Sequence, residues 1–223
     1  MKPVLEALVF DAYGTLFDVH SVAERCEALW PGQGMEVSRL WRVKQLEYTW
    51  QRSLMQRYEP FDKVTRDALK VACGLLNLRC GASQQRVLME EYLRLALFPG
   101  AASALKKLKA KRLAILSNGS PAMLEPLVKN AGLAKTFDAV LSVDTLSVYK
   151  PDPRVYRLAV ETLGVAAANI GFVSSNGWDA CGAKAYGFTV FWINRAMAPV
   201  DALGAPPDYI VGSLADVAAL VRD

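Results

Sequence analysis

Histidine is almost missing from these 223 residues; His20 is the only one. A Ser-His-Asp or Cys-His device would have to be built on it, and neither a G-x-S-x-G elbow nor a comparable nucleophile motif accompanies it. The four cysteines, Cys26, Cys73, Cys80 and Cys181, include no CxxC pair. With one histidine they supply too few ligands for a usual zinc site, so reduced, buried thiols are expected and disulfides are not. No apolar run approaches the length of a membrane span, and the opening MKPVLEALVF lacks a long apolar stretch followed by a small-residue cleavage site. The expected location is the cytoplasm, away from membrane. A strong charge of either sign is also lacking, since 26 basic residues face 22 acidic ones for a net of +4. The one basic cluster, KKLKAKR at 106–112, reads as a solvated helix end rather than a nucleic-acid surface.

What is present is apolar content, 52% of the chain, enough for a full core in one large domain or in a domain with a smaller companion. Short apolar runs at 6–10, 113–116, 138–141, 170–173 and 189–193 alternate with helical patterns at 101–110, 121–131, 153–163 and 179–186. Such alternation predicts βαβ units and a parallel sheet covered by helices, an α/β fold. Residues 21–96 read differently, as helices with almost no strand signal. Ser21 and Glu24 suggest a capping box for a helix over 21–30, PGQG at 31–34 breaks the chain, and further helices are predicted over 36–57, 61–77 and 83–97. On the long helix, Leu40, Val43, Leu46, Trp50 and Leu54 have helical spacing and are expected to face the local core. A second series, Trp41, Tyr48 and Met55, recurs every seven residues and suits either a homodimer seam or packing against the sheet.

Parallel α/β sheets gather ligands beyond the carboxyl ends of their strands. Four such ends carry unusual polar groups: Asp11 and Thr15 in LVFDAYGTLFDVHS; Ser117 and Asn118 in LAILSNGS; Lys150 in SVYKPDPRVY; and Ser174, Ser175, Asn176 and Asp179 in FVSSNGWD. Singly, each has a plain structural explanation as a turn former, helix cap or surface charge. All four together point to a site. Two residues after Asp11, where a second acid would make a metal-assisted phosphate site, stands Tyr13.

In this order, DAYGTLFD, LSNG, YKPDPRVY and FVSSNGWD resemble the haloacid dehalogenase superfamily, and SSNGWD with LWRVKQLEY resembles its L-2-haloacid dehalogenase branch. The resemblance covers nearly the whole chain. It implies a Rossmann-like parallel sheet core over 1–16 and 98–223 with a helical cap inserted after the first strand, over 17–97. It also implies a small-molecule 2-haloacid as partner; no cofactor is expected, the charge balance and apolar runs speak against nucleic acid and membrane, and the series Trp41, Tyr48 and Met55 is the ground for expecting a homodimer. Phosphatases of the superfamily pair two acids as D-x-D and use Mg²⁺ to offset repulsion between carboxylate and phosphate. A 2-haloacid brings one negative charge, and halide leaves without a proton, so Tyr13 in the second place is consistent with displacement at carbon. Ser175 likewise stands where the phosphatase pattern has an acid, leaving a Mg²⁺ site poorly supplied, and no metal requirement is expected.

By the same resemblance, Asp11 attacks C2 from the face opposite the halogen and becomes an ester. Water then attacks the ester carbonyl, with net inversion at C2. Asp179 is the expected base for that water, with Asn176 orienting the water or contacting Asp179. Lys150 would hold both acids ionised, Thr15 would bond around Asp11, and Ser174 and Tyr156 would support the site. Arg42 from the cap and Asn118 match the family's halide acceptors; periodicity alone does not separate Arg42 from Arg39 and Lys44. Ser117, with the backbone N–H groups of Ala12 and Tyr13, matches the carboxylate receiver. Tyr13, Leu46, Phe61 and Trp178 are candidate apolar walls. Two other readings are a phosphatase of the same fold acting on a small phosphate monoester and a non-catalytic binding protein on this scaffold.

Overall fold

Consecutive apolar residues without polar alternation suit a strand covered on both faces, and Ala7–Phe10 forms such a strand, β1, with every residue buried. The structure, a computed structural model, describes residues 4–221; positions 1–3 and 222–223, the extreme ends of the expected core, lie outside the described residues. Among the described residues six parallel strands make one sheet: β1, β2 (Arg112–Ser117), β3 (Ala139–Ser142), β4 (Ile170–Ser174), β5 (Thr189–Ile193) and β6 (Tyr209–Val211). Their order is β3-β2-β1-β4-β5-β6. β1 lies between β2 and β4, with Phe10 level with Ile115 and Val173. The strand order reverses at β1, so the loops leaving β1, β2 and β4 open a crevice at their carboxyl ends.

The sheet is accompanied by α5 (Ala101–Lys107), α6 (Pro121–Asn130), α7 (Pro153–Leu163), α8 (Gly177–Tyr186) and α9 (Leu214–Val221). Helix α7 shows how local sequence sets a site residue. Asp152 caps it by accepting the Arg154 N–H at 2.9 Å, Pro153 opens it, and Gly164 stops it in the left-handed region at φ 60°. The stripe Val155, Tyr156, Ala159 and Leu163 is buried, which carries Tyr156 inward. β6 and α9 go beyond the sequence expectations; a three-residue edge strand, YIV, is too short to give a period.

Between β1 and β2 run a 3-10 turn (Val19–Val22), α1 (Ala23–Leu29), α2 (Gly34–Leu54), α3 (Phe61–Leu75), α4 (Ala82–Glu91) and a second 3-10 turn (Tyr92–Arg94). The chain leaves and returns side by side: Asp18 N–H donates to Ala96 O at 2.8 Å and Phe98 N–H to Leu16 O at 3.0 Å. Ser21 is not the cap of a helix starting there. It lies in the 3-10 turn, its hydroxyl donating to Asp18 O at 2.7 Å, and α1 begins at Ala23.

The buried face of α2 differs from both expected series. It consists of Gly34, Val37, Ser38, Trp41, Gln45 and Thr49, while Val43 and Leu54 face outward, Leu54 at 85% exposure. Trp41 is fully buried, donates from Nε1 to Thr65 O at 2.7 Å and lies 4.7 Å from the Tyr92 ring, so it belongs to the cap interior and not to a seam between copies. Cys26, Cys73, Cys80 and Cys181 are free thiols, all but Cys80 buried. No helix among the described residues is long and apolar enough to cross a membrane.

Candidate active site

Asp11 is the first residue past β1, and its N–H donates to Val173 O at 3.0 Å. The Ala12 carbonyl then accepts from the N–H groups of Thr15, Leu16 and Phe17, while Gly14 takes φ 86°, a value that side chains disfavour. The turn folds Thr15 back onto Asp11. Its hydroxyl donates to Asp11 Oδ2 at 3.0 Å and accepts the Ser175 N–H at 2.8 Å.

Lys150 arrives on the loop after β3, fixed by its own N–H, which donates to Asn118 Oδ1 at 3.0 Å. Its ammonium bridges two carboxylates, 3.1 Å from Asp11 Oδ1 and 2.9 Å from Asp179 Oδ2, and the side chain is 1% exposed. Burial pulls the Lys150 pKa down, but Asp11 and Asp179 outweigh it and hold the group above its ordinary value. Asp179 sits in the first turn of α8, where the helix dipole favours an acid. Burial, opposed by Lys150 and reinforced by Asp11, pushes its carboxyl up to about 6. Tyr156 donates to Asp179 Oδ1 at 2.8 Å, and burial raises its phenol well above the usual range, so it acts as a neutral donor. The approach depends on Gly182, where a Cβ would lie 2.5 Å from the Tyr156 hydroxyl oxygen.

Asn176 stands at the start of α8 without capping it. Its Nδ2 donates to Asp11 Oδ2 at 2.7 Å and to Tyr13 O at 3.1 Å, and its N–H is received by Ser174 Oγ at 3.1 Å. The expected alternative, an Asn176 side chain on Asp179, does not occur; the Asp179 oxygens accept from Lys150 and Tyr156 instead. From above, Arg42 on α2 brings Nη2 to 3.4 Å from Tyr13 O and 3.5 Å from Asn176 Oδ1. Of the basic residues that periodicity left open, Arg39 instead pairs outward with Glu36 and Lys44 with Glu47. Burial lowers the Arg42 pKa, with Tyr92 and Asp11 opposing.

Arg42 and Asn176 line one cleft of about 490 Å³ together with Leu46, Phe98, Trp192 and Arg195. Ser117, at the end of β2, is buried and accepts the Gly119 N–H at 3.0 Å. The Tyr13 ring is buried 5.4 Å from Phe61 and 6.2 Å from Tyr92, its hydroxyl without a hydrogen-bond partner among the described residues. Trp178 is the site expectation that the structure separates from the others. Its ring meets Trp50 at 5.4 Å and lines another cavity, with Pro151 and Cys181.

Arg195, Gln45 and Gly182 escaped the sequence reading, and only Gly182 carried a signal, as a glycine inside a helix. Arg195, on the loop after β5, donates to Gly14 O at 3.0 Å, Thr15 O at 2.9 Å and Ser175 Oγ at 2.7 Å, with Phe98 3.6 Å beneath its guanidinium. It clamps the turn after Asp11 to the end of β4.

A family profile described as haloacid dehalogenase-like hydrolase matches residues 5–187. An (S)-2-haloacid dehalogenase of Pseudomonas sp. strain YL is 50% identical over 218 residues, covering 97% of this chain and 94% of the relative. (S)-2-haloacid dehalogenase H-109 of Pseudomonas putida is 47% identical over 225 residues, covering both chains fully at 100%. Among solved structures, an L-2-haloacid dehalogenase from Xanthobacter autotrophicus with chloropropionic acid covalently bound superposes with a TM-score of 0.92 at 44% identity, covering 98% of each chain.

Proposed function

The chain belongs to the haloacid dehalogenase-like hydrolases, and we propose that Asp11 is the nucleophile with which it converts (S)-2-haloalkanoic acids to (R)-2-hydroxyalkanoic acids and halide. It is a hydrolase acting on carbon–halide bonds, and 2-haloacids are its substrates. The observation that carries the assignment of roles is the buried Asp11–Lys150–Asp179 chain. A lysine between two acids is costly to bury, and it sets one acid to attack and the other to accept a proton.

In the first step an Asp11 oxygen attacks C2, the carbon–halogen bond breaks and halide leaves with the bonding pair. Thr15, Asn176 and Lys150 aim the carboxylate. Arg42 and the amide NH₂ of Asn118 receive the halide; Asn118 Oδ1 is committed to the Lys150 N–H, which turns its donor end away from that bond. Ser117 and the backbone N–H groups of Ala12 and Tyr13 receive the substrate carboxylate. In the second step water attacks the Asp11 ester carbonyl and gives a proton to Asp179, held up to about 6 in the free enzyme. The bond between the Asp11 carbonyl carbon and the substrate oxygen then breaks, the departing alkoxide takes that proton to become the hydroxy acid, and Asp11 returns to its carboxylate as the second proton of water passes to solvent. Tyr156 and Ser174 hold Asp179 and Asn176. Tyr13, Leu46 and Phe61 keep the nucleophile dry.

We assign residues 17–97 to a cap over a core of 1–16 and 98–223, the division falling where the outgoing and returning segments are hydrogen-bonded near Asp18 and Ala96. The donor set supports metal independence. The Lys150 ammonium lies between the two acids, and the Ser175 hydroxyl is bonded by the Arg195 cation, so hard anionic ligands in octahedral array are wanting. A cytoplasmic location agrees with four free cysteines.

The test is halide release from L- and D-2-chloropropionate in chelator, beside p-nitrophenyl phosphate hydrolysis with Mg²⁺. The expected result is release from the L form alone, undiminished by chelator. Phosphate release without halide would overturn the reading. For the assembly, we propose a homodimer whose seam runs through exposed Leu54 at the end of α2, Met55 just after it and half-buried Tyr48. Solution scattering at micromolar concentration is expected to give the dimer mass; a monomer mass would refute the seam.

A further inference from the structure

Arg42 is held from behind by a buried polar relay. Its Nη1 donates to Gln45 Oε1 at 2.6 Å, Gln45 Nε2 donates to Thr65 Oγ1 at 2.8 Å, and the Thr65 hydroxyl donates to Phe61 O at 2.6 Å. Gln45 and Thr65 are both fully buried. The direction of the relay is forced. The Phe61 carbonyl can only accept, so it claims the single Thr65 proton, and Thr65 must then accept from its other neighbour. That neighbour is therefore the NH₂ of Gln45, which leaves only the Gln45 carbonyl oxygen to face Arg42. The Tyr92 phenol lies in hydrogen-bonding reach of the same glutamine.

The two ends of the guanidinium are thus unequal. Nη1 is anchored by a short bond to a buried amide, whereas Nη2 has only the 3.4 Å and 3.5 Å approaches to Tyr13 O and Asn176 Oδ1, at or beyond the usual range. An arginine on a flexible stem would otherwise lose rotamer freedom at the moment of reaction; the anchor settles its orientation beforehand. We propose that Gln45 is a positioning residue for dehalogenation, fixing the Arg42 guanidinium so that its loosely held Nη2 edge faces the departing halide. This rests on Arg42 as halide acceptor. Gln45 touches neither substrate nor Asp11 and acts only through Arg42.

The experiment is a double-mutant cycle on single-turnover halide release from L-2-chloropropionate, with Gln45→Met, Arg42→Ala and the pair. Methionine is close to glutamine in size and lacks both polar ends. Gln45→Met is expected to slow release roughly 10- to 100-fold, the scale of a misplaced reacting group, with KM little changed. In the Arg42→Ala background the same change is expected to have no further effect. Equal losses in both backgrounds would make Gln45 merely structural and overturn the proposal, as would full activity in Gln45→Met. If Arg42→Ala itself releases halide at the normal rate, the halide-acceptor reading falls and the proposal falls with it. A slow Arg42→Ala beside an unaffected Gln45→Met sinks the proposal alone. Should Gln45→Met fail to fold, Thr65→Val removes the hydroxyl that sets the amide. It is then expected to slow release only where Arg42 is present, and an unchanged rate would overturn the proposal.

Discussion

Asp11→Asn is expected to abolish halide release, by on the order of 10⁴- to 10⁶-fold, the range seen when a covalent nucleophile is removed. The reason is chemical before it is structural. An amide oxygen carries no full charge, and its NH₂ must replace one oxygen of a group that here only accepts hydrogen bonds. Placed at Oδ1 it would confront the Lys150 ammonium; placed at Oδ2 it would confront the donors of Thr15 and Asn176. The second placement is the more tolerable, since the Thr15 hydroxyl can rotate. Lys150 keeps Asp179 as a partner, so the variant retains a paired buried lysine and is expected to fold, with melting temperature near that of the parent. Loss of turnover alone would also fit Asp11 acting as a base on water. A single turnover in heavy-oxygen water separates the two. Attack through an ester puts the heavy oxygen into the Asp11 carboxylate and leaves the first product unlabelled. Label in the first product would mean that water attacks C2 directly.

The parts of this site that were legible in the sequence are those whose chemistry conflicts with their surroundings. Asp11 ends an apolar strand, Lys150 stands between Tyr149 and a proline on the loop after β3, and Asp179 follows another buried strand; a parallel sheet brings strand ends together. Pairings within the constellation were not legible, because motif order carries no distances. Asn176 is three residues from Asp179 in sequence, yet its side chain serves Asp11, since Asn176 is the extended residue before α8 (φ −85°, ψ 112°) and not part of the helical face that carries Asp179. The face of α2 was misread for a different reason. Its buried stripe includes Ser38, Gln45 and Thr49, while Val43 and Leu54 lie outside, so hydrophobic spacing pointed away from the interior. Polar residues occupy that stripe where they form the relay behind Arg42 and the bond between Ser38 Oγ and His20 Nδ1 at 2.9 Å. Functional demand displaced the periodic pattern at the positions that serve the site.

Asp179→Asn is expected to release a single burst of halide per active site and then stall, with Asp11 carried as an ester. Displacement of halide needs the Asp11 carboxylate and the halide donors, and none of these passes through Asp179. Hydrolysis of the ester does need a proton acceptor, and an amide cannot supply one. The asparagine can be housed: its oxygen accepts from Lys150, and its NH₂ donates to the Tyr156 oxygen, replacing the bond that Tyr156 now donates. Folding is not expected to suffer. Burial raises the Asp179 pKa, so ionising it above about 6 opposes folding, whereas the unfolded chain ionises it already near its ordinary value; removing the charge relieves that opposition at neutral pH. The parent enzyme has a corresponding pH signature. In the free enzyme Asp179 binds a proton below about 6, and esterification removes the Asp11 charge that helps raise it, so steady turnover is expected to fall with pH from below that value, about tenfold for each further unit, while the initial burst of halide persists. Quenching the parent at low pH should therefore trap the same ester that the variant traps at neutral pH, read by mass on the peptide containing Asp11. Steady turnover in Asp179→Asn, or a low-pH loss of the burst itself, would place the base elsewhere. Because Lys150 ties both acids to one ammonium, the next group to test would be Lys150, the other end of the same proton balance.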